Sequence, residues 1–247
     1  MKYPELHAEV LKELAAIGSP SFALHTPKDR KSELEYSGVR VPERRKLSRK
    51  GFSFFDHPES EVISIWDDLF MHSPNGDVLF CALDYLRFRV PKSVSPDLWS
   101  VIRNWVKRVE NWAHSDEMSW VYSYVLEAYF DEVFEDLVMW NKTNELWPKR
   151  ISIVSLIHYT GKNAVFLPPD VVFPMVERCV DDDRYYMQKA TGWVLREMHR
   201  GYPNEVEDFL STHLARIGNS ALTRAVERME KCEREAWRDQ KKRLIQS

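Results

Sequence analysis

Glycine is scarce in this sequence, with 8 residues in 247. A turn-rich all-β design needs more, so the scarcity points to helices. Cysteine is scarcer still. Cys81, Cys179 and Cys232 are odd in number, far apart and without a Cys-x-x-Cys, which argues against a disulfide framework and a zinc site. The expected setting is reducing and cytoplasmic. No apolar run approaches the roughly 18 residues of a membrane span, so no membrane partner is expected. Met1-Lys-Tyr-Pro-Glu5 does not read as the start of a signal peptide. Gly/Ser tracts and low-complexity segments are also missing, and residues 1–247 read as one domain, expected to be monomeric. An excess of positive charge is lacking too: 35 basic against 38 acidic residues leave a net charge of −3.

Charge is nevertheless unevenly placed. From Arg40 to Lys50 there are six bases and one acid, and from Glu127 to Asp136 five acids and no base. That polarity suits one positive and one negative face, or simply solvated helix surfaces. What the chain has in plenty is tryptophan, nine residues, and apolar residues at helical spacing.

The periodicity predicts helices at about Glu5–Ala16, from Pro42 onward, and at Glu59–Met71, Asp77–Arg89, Pro96–Val109, Asp116–Tyr129 and Asp131–Trp140. Further ones are expected at Trp147–Tyr159, Asp170–Val180, Arg184–His199, Glu205–Leu214 and Asn219–Leu244. Short proline-bearing breaks separate them, and the pair spacing of roughly 35 to 45 residues falls in the range of HEAT-type repeats. The expected fold is all-α, a curved solenoid of about six antiparallel HEAT-like helix pairs whose concave face forms the binding groove.

Three segments carry candidate chemistry. Trp112-Ala-His-Ser-Asp116 sets an indole and a carboxylate one helical turn apart. Asp116 suits a helix N-cap or first turn, and equally a carboxylate that orients water and counters positive charge on a sugar. His114, between them, reads as a hydrogen-bonding surface residue. Arg150, in Trp147-Pro-Lys-Arg150, gains nothing from a helix start, where the macrodipole favours anions. It therefore answers to a carboxylate such as Asp116, as a structural pair, or to a phosphate. In Lys189-Ala-Thr-Gly-Trp193-Val-Leu-Arg196, a mid-helix glycine costs about 1 kcal/mol against alanine, so a bare backbone beside the ring must gain something. Trp193 is then a core indole, or a ring lying against a deoxyribose while Lys189 and Arg196 take phosphates.

Together these segments resemble the AlkD-type DNA alkylation-repair glycosylases, a family built from HEAT-like repeats. Gly38-Val-Arg-Val-Pro-Glu-Arg44-Arg45 is similar to the family's early Gly-x-x-x-Pro-Glu-Arg-Arg element. Trp112-x-x-x-Asp116 is similar to its tryptophan–aspartate motif, and Trp147-x-x-Arg150 to its arginine helix. Gln188-Lys-Ala-x-Gly-Trp-Val-Leu-Arg-Glu197 is the most specific match. The sequence departs at Asp29, where the family has a tyrosine, and at Asn111 and Ala113, where it has a second aromatic and an acid.

The resemblance implies a glycosylase that removes cationic N3- or N7-alkylated purines from double-stranded DNA. Asp116 would be its catalytic carboxylate. Trp112 and Trp193 would contact the deoxyribose, Arg150 would hold the adjacent backbone, and Lys189, Arg44 and Arg45 are further candidates for DNA contact. A cationic purine leaves without a general acid, so neither metal nor cofactor is expected. Two other readings remain open: a non-catalytic DNA-binding relative that recognises damaged or branched duplex, and a helical-repeat scaffold for protein, which the net charge of −3 favours.

Overall fold

The computed structural model describes residues 1–157 and 167–246. Its described residues are helical throughout, apart from loops and an isolated bridge between Glu35 and Asn75. They form two compact units, Met1–Phe130 and Asp131–Ser247.

The first unit contains α1 (Pro4–Ile17), α2 (Pro20–Arg30), α3 (Val41–Lys50), α4 (Glu59–His72), α5 (Gly76–Arg89), α6 (Leu98–Ile102) and α7 (Trp112–Ala128). Short 3-10 turns lie at Ser53–Asp56 and Arg103–Arg108. Proline occupies an opening position of α1, α2 and α3, where the missing N–H removes nothing from the helix. Within this unit α1, α3, α5 and α7 are successive neighbours, while α4 packs on α5 and on the α6 segment. α5 is buried from Gly76 to Leu86 and is the spine of the unit. Phe52, Phe54, Trp66 and Tyr85 pack ring to ring beside it.

The second unit contains α8 (Phe130–Asn141), α9 (Leu146–Val154), α10 (Pro169–Glu177), α11 (Tyr185–Met198), α12 (Pro203–His213), α13 (Asn219–Ala225) and α14 (Lys231–Gln246). Here α9, α11 and α13 are successive neighbours, with α10 against α9 and α12 against α11. In both units, then, alternate helices line up as a layer, as stacked helix pairs require.

Several expectations need correcting. α2 carries no apolar stripe, holds Pro27 inside it and was not expected as a helix. α1 runs one residue past the expected Ala16, to an exposed Ile17, and seals Val10 and Leu14. The helix expected from Asp116 begins at Trp112 instead. Asn219–Leu244 is two helices, α13 and α14, separated at residues 226–230. The end expected at Tyr159 lies outside the described residues; α9 finishes at Val154.

Gly192 gains something other than room for the Trp193 ring. A Cβ there would sit 2.3 Å from the Ala221 carbonyl oxygen and 2.7 Å from Arg224 Cβ. The bare backbone of α11 is what lets α13 approach. Helix propensity favours Gly192→Ala by about 1 kcal/mol, but the overlap is with a backbone carbonyl that cannot swing aside. Overpacking should win. Gly192→Ala is expected to destabilise by about 1–3 kcal/mol in urea unfolding, and a stabilised variant would show that α13 yields freely.

Candidate active site

The first turn of α7 is fixed by Asn111. Its backbone is extended, and its side-chain oxygen accepts from the amides of Ala113 and His114, both at 3.0 Å. This is an N-cap, and it moves the helix start four residues ahead of Asp116. The same side chain's Nδ2 faces Tyr36 Oη at 3.2 Å, Glu110 Oε1 at 3.0 Å and His114 Nδ1 at 2.8 Å. Because an amide nitrogen only donates, His114 Nδ1 must accept, and the imidazole proton lies on Nε2, facing the Gly76 carbonyl at 3.3 Å.

His114 is therefore a fully buried member of this node and not a surface residue. Burial holds its pKa down to about 3, against the opposing hydrogen bond to Gly76. Tyr36 belongs to the same node; burial raises its pKa, and it hydrogen-bonds Ser32 at 3.0 Å. Gly76 is bare because the Tyr36 ring lies 2.5 Å from where a Cβ would stand.

This scaffold sets out the two residues of interest. Trp112, the first residue of α7, remains 36% exposed. Asp116 follows one turn later and is half-buried. It is neither a cap nor sealed beneath its neighbours. An exposed indole and a half-buried aspartate thus share one stripe of α7.

Two arginines of the basic run, Arg44 and Arg45, are the ones expected to meet DNA. Arg44 is 1% exposed, donates through Nε to Asp84 Oδ2 at 2.7 Å and lies 4.2 Å above the Phe80 ring. Burial alone would lower its pKa, but the charge and hydrogen bond of Asp84 outweigh that and raise it. Such a guanidinium has no surface to offer a phosphate, so Arg44 is withdrawn from the DNA-contacting set. Arg45 is half-buried and reaches Asp84 Oδ1 at 3.3 Å. Cys81 beside this pair has its thiol pushed up to about 12 by burial, which makes it inert at neutral pH.

In the second unit, Arg150 is only 4% exposed, and its Nη1 donates to the Tyr186 carbonyl at 2.6 Å. Trp147 leans on the Tyr186 ring at 5.2 Å. Arg150 thus braces the start of α11, and its burial leaves little guanidinium for a nucleic-acid backbone. Trp193 is half-buried on α11. Lys189, one turn earlier, holds its ammonium 5.2 Å from the ring of Tyr185, which is exposed. Sequence reasoning missed Asn111 as a cap, Tyr36 as its partner and Tyr185 beside Lys189. The first left a signal, since asparagine before a helix is a common start, and so did the four-residue spacing of Tyr185 and Lys189 on one helix.

Alternate helices in layers define a helical-repeat fold. A model of the DNA alkylation repair enzyme family matches residues 10–229, and the chain belongs to that family. Comparison with curated proteins finds no match. Among solved structures, a predicted DNA alkylation repair enzyme from Enterococcus faecalis is similar at a TM-score of 0.72 and 16% identity, over 87% of this chain and 97% of that one. AlkD2 from Streptococcus mutans is similar at a TM-score of 0.55 and 13% identity, over 85% and 98% of the two chains. An alkylpurine DNA glycosylase, AlkC from Pseudomonas fluorescens, bound to DNA containing an abasic-site analogue, is similar at 0.51 and 11% identity. That likeness covers 90% of this chain and 62% of that one. At these identities the shared feature is the fold. Among the described residues no helix is long and apolar enough to cross a membrane.

The neutral His114 makes a pH prediction. In the unfolded chain its imidazole takes a proton near pH 6.5, but in the folded protein only near pH 3. Between those values the unfolded state holds one more proton, so stability falls as pH drops, by about 1.4 kcal/mol per unit from this group. His114→Gln should show a shallower loss than wild type when urea midpoints are compared at about pH 7 and pH 4.5. Parallel curves for the two proteins would remove His114 from the account.

Proposed function

We propose that this protein hydrolyses the N-glycosidic bond of cationic N3- or N7-alkylated purines in double-stranded DNA. The observation that carries the reading is the α7 stripe: Trp112 exposed, Asp116 half-buried one turn later, and both fixed by the buried Asn111 cap. Membership of a DNA alkylation repair enzyme family supports the reaction class. The AlkC structure, with its abasic-site analogue, supports DNA as the partner.

The chemistry asks little of the protein. An alkylated purine already carries positive charge, so the bond from C1′ to the base breaks with its electron pair leaving on the base. The deoxyribose becomes an oxocarbenium-like cation. Asp116 lies against that cation, lowering the barrier by charge, and orients the water that adds to C1′. As the new C–O bond forms the water gives its proton to the Asp116 carboxylate, which passes it to solvent, leaving neutral free base and an abasic sugar. Trp112 packs on the sugar and excludes competing solvent. Within the second unit, α11 carries Trp193, Lys189 and Tyr185, ring and ammonium groups of the kind that meet a sugar-phosphate chain. Arg150 acts through the Tyr186 carbonyl, setting the start of that helix.

Incubation with methylated duplex DNA should release 7-methylguanine, and Asp116→Asn should abolish that release while leaving DNA binding in place. Binding by wild type without any release of base would instead identify a DNA-binding relative that performs no excision. Arg150→Ala should lower both thermal stability and excision, because it frees the start of α11. Unchanged excision in that variant would remove Arg150 from the site.

A further inference from the structure

Glu117 follows Asp116 on α7 and is gripped from two other helices. Arg45 of α3 donates from Nη2 to Glu117 Oε1 at 2.8 Å, and Arg87 of α5 donates from Nη1 to Oε2 at 2.9 Å. Each carboxylate oxygen therefore has its own arginine. Arg45 continues through Nε to Asp84 Oδ1 at 3.3 Å, and the other oxygen of Asp84 takes the buried Arg44. Arg87 does a second thing: its guanidinium carbon lies 3.9 Å from the ring centroid of Trp120. Trp120 is one turn past Asp116 and only 6% exposed.

We propose that Glu117, clamped between Arg45 and Arg87, is a positioning residue that fixes the direction of the Asp116 carboxylate; this rests on the glycosylase reading above. The argument is geometric. Residues 117 and 120 both follow position 116 and lie to the same side of it on the helix, and Arg87 touches both. A helix turn tied to α3 at one oxygen and to α5 at the other resists rolling about its own axis. A roll of about 10° at a side-chain radius of about 6 Å moves a tip by about 1 Å. Misplacement of a reacting group by that much costs on the order of 100-fold in rate.

Half-exposed ion pairs add little to stability, commonly below about 1 kcal/mol each. The clamp is therefore better suited to setting an angle than to holding the fold. It also gives Arg45, expected to meet DNA, a structural role: its Nε and Nη2 turn to Asp84 and Glu117.

The test is single-turnover base release from methylated duplex with enzyme in excess, so that the rate constant does not depend on the folded fraction. Wild type, Asp116→Asn, Glu117→Gln, Arg45→Gln and the double variant R45Q/E117Q are compared, with DNA affinity and melting measured alongside. Glu117→Gln keeps the volume but turns an amide NH2 toward one arginine. Its rate constant should fall by roughly 10- to 100-fold with DNA affinity unchanged. The double variant should be no slower than the slower single variant, because both remove one contact. A wild-type rate in Glu117→Gln, beside an inactive Asp116→Asn, overturns the clamp and leaves the glycosylase reading standing. Weaker binding in Arg45→Gln, with a reduced salt dependence and an unaltered rate constant, assigns Arg45 to a phosphate and also overturns it. No release by wild type overturns both readings together.

Discussion

A single buried side-chain amide organises the part of the molecule that bears the candidate chemistry. The oxygen of Asn111 takes the first free amides of α7, and its nitrogen faces Tyr36, Glu110 and His114. Each of those partners belongs to a different piece of local structure, so the cap joins them. An uncapped α7 would leave amides without partners inside the protein, a cost of about 1–2 kcal/mol from the cap alone. With the cap in place, Trp112 must be the first helical residue and Asp116 must stand one turn further along. The departure from the family pattern at position 111 thus has a structural occupation of its own.

From that node the order passes sideways through α5. Phe80 lies between the His114 ring, at 4.2 Å, and the Arg44 guanidinium, also at 4.2 Å. Arg44 holds Asp84, Asp84 shares Arg45, and Arg45 reaches Glu117. Removing one partner of a buried ion pair such as Arg44–Asp84 typically costs about 3–5 kcal/mol, because the other charge is left in a dry interior. The route from α3 through α5 to α7 is therefore made of contacts whose individual loss is costly at the centre and mild at the rim. In the second unit the comparable constraints are steric and carbonyl-based: the bare Gly192 under α13, and Arg150 on the Tyr186 carbonyl.

Much of this was legible from the sequence, and the failures have physical reasons. Helices with a clear apolar stripe were read closely: Glu59–Met71 is α4 to within a residue, and Asp77–Arg89 is α5 less its first residue. α2 was missed because its polar pattern and internal Pro27 obey no stripe. The start of α7 was misplaced because Asp116 resembles a cap, while the true cap draws its importance from Tyr36, 75 residues away. Arg44 looked like a surface base within a basic run; only the fold shows Asp84 beneath it. His114 looked like a turn residue for the same reason. Pair partners distant in sequence leave no periodic trace, and that is where side-chain roles were lost. The Trp112–Asp116 spacing survived because it is local and helical.

The account's central claim is that the sugar cation of an alkylated nucleotide forms against Asp116. A crystal structure of the protein with duplex DNA carrying a cationic abasic-sugar analogue tests this most directly. The account predicts the Asp116 carboxylate within about 3–4 Å of the position equivalent to C1′, with the Trp112 ring against the same sugar. An analogue bound with its sugar against another part of the protein, and Asp116 facing only solvent, would contradict it.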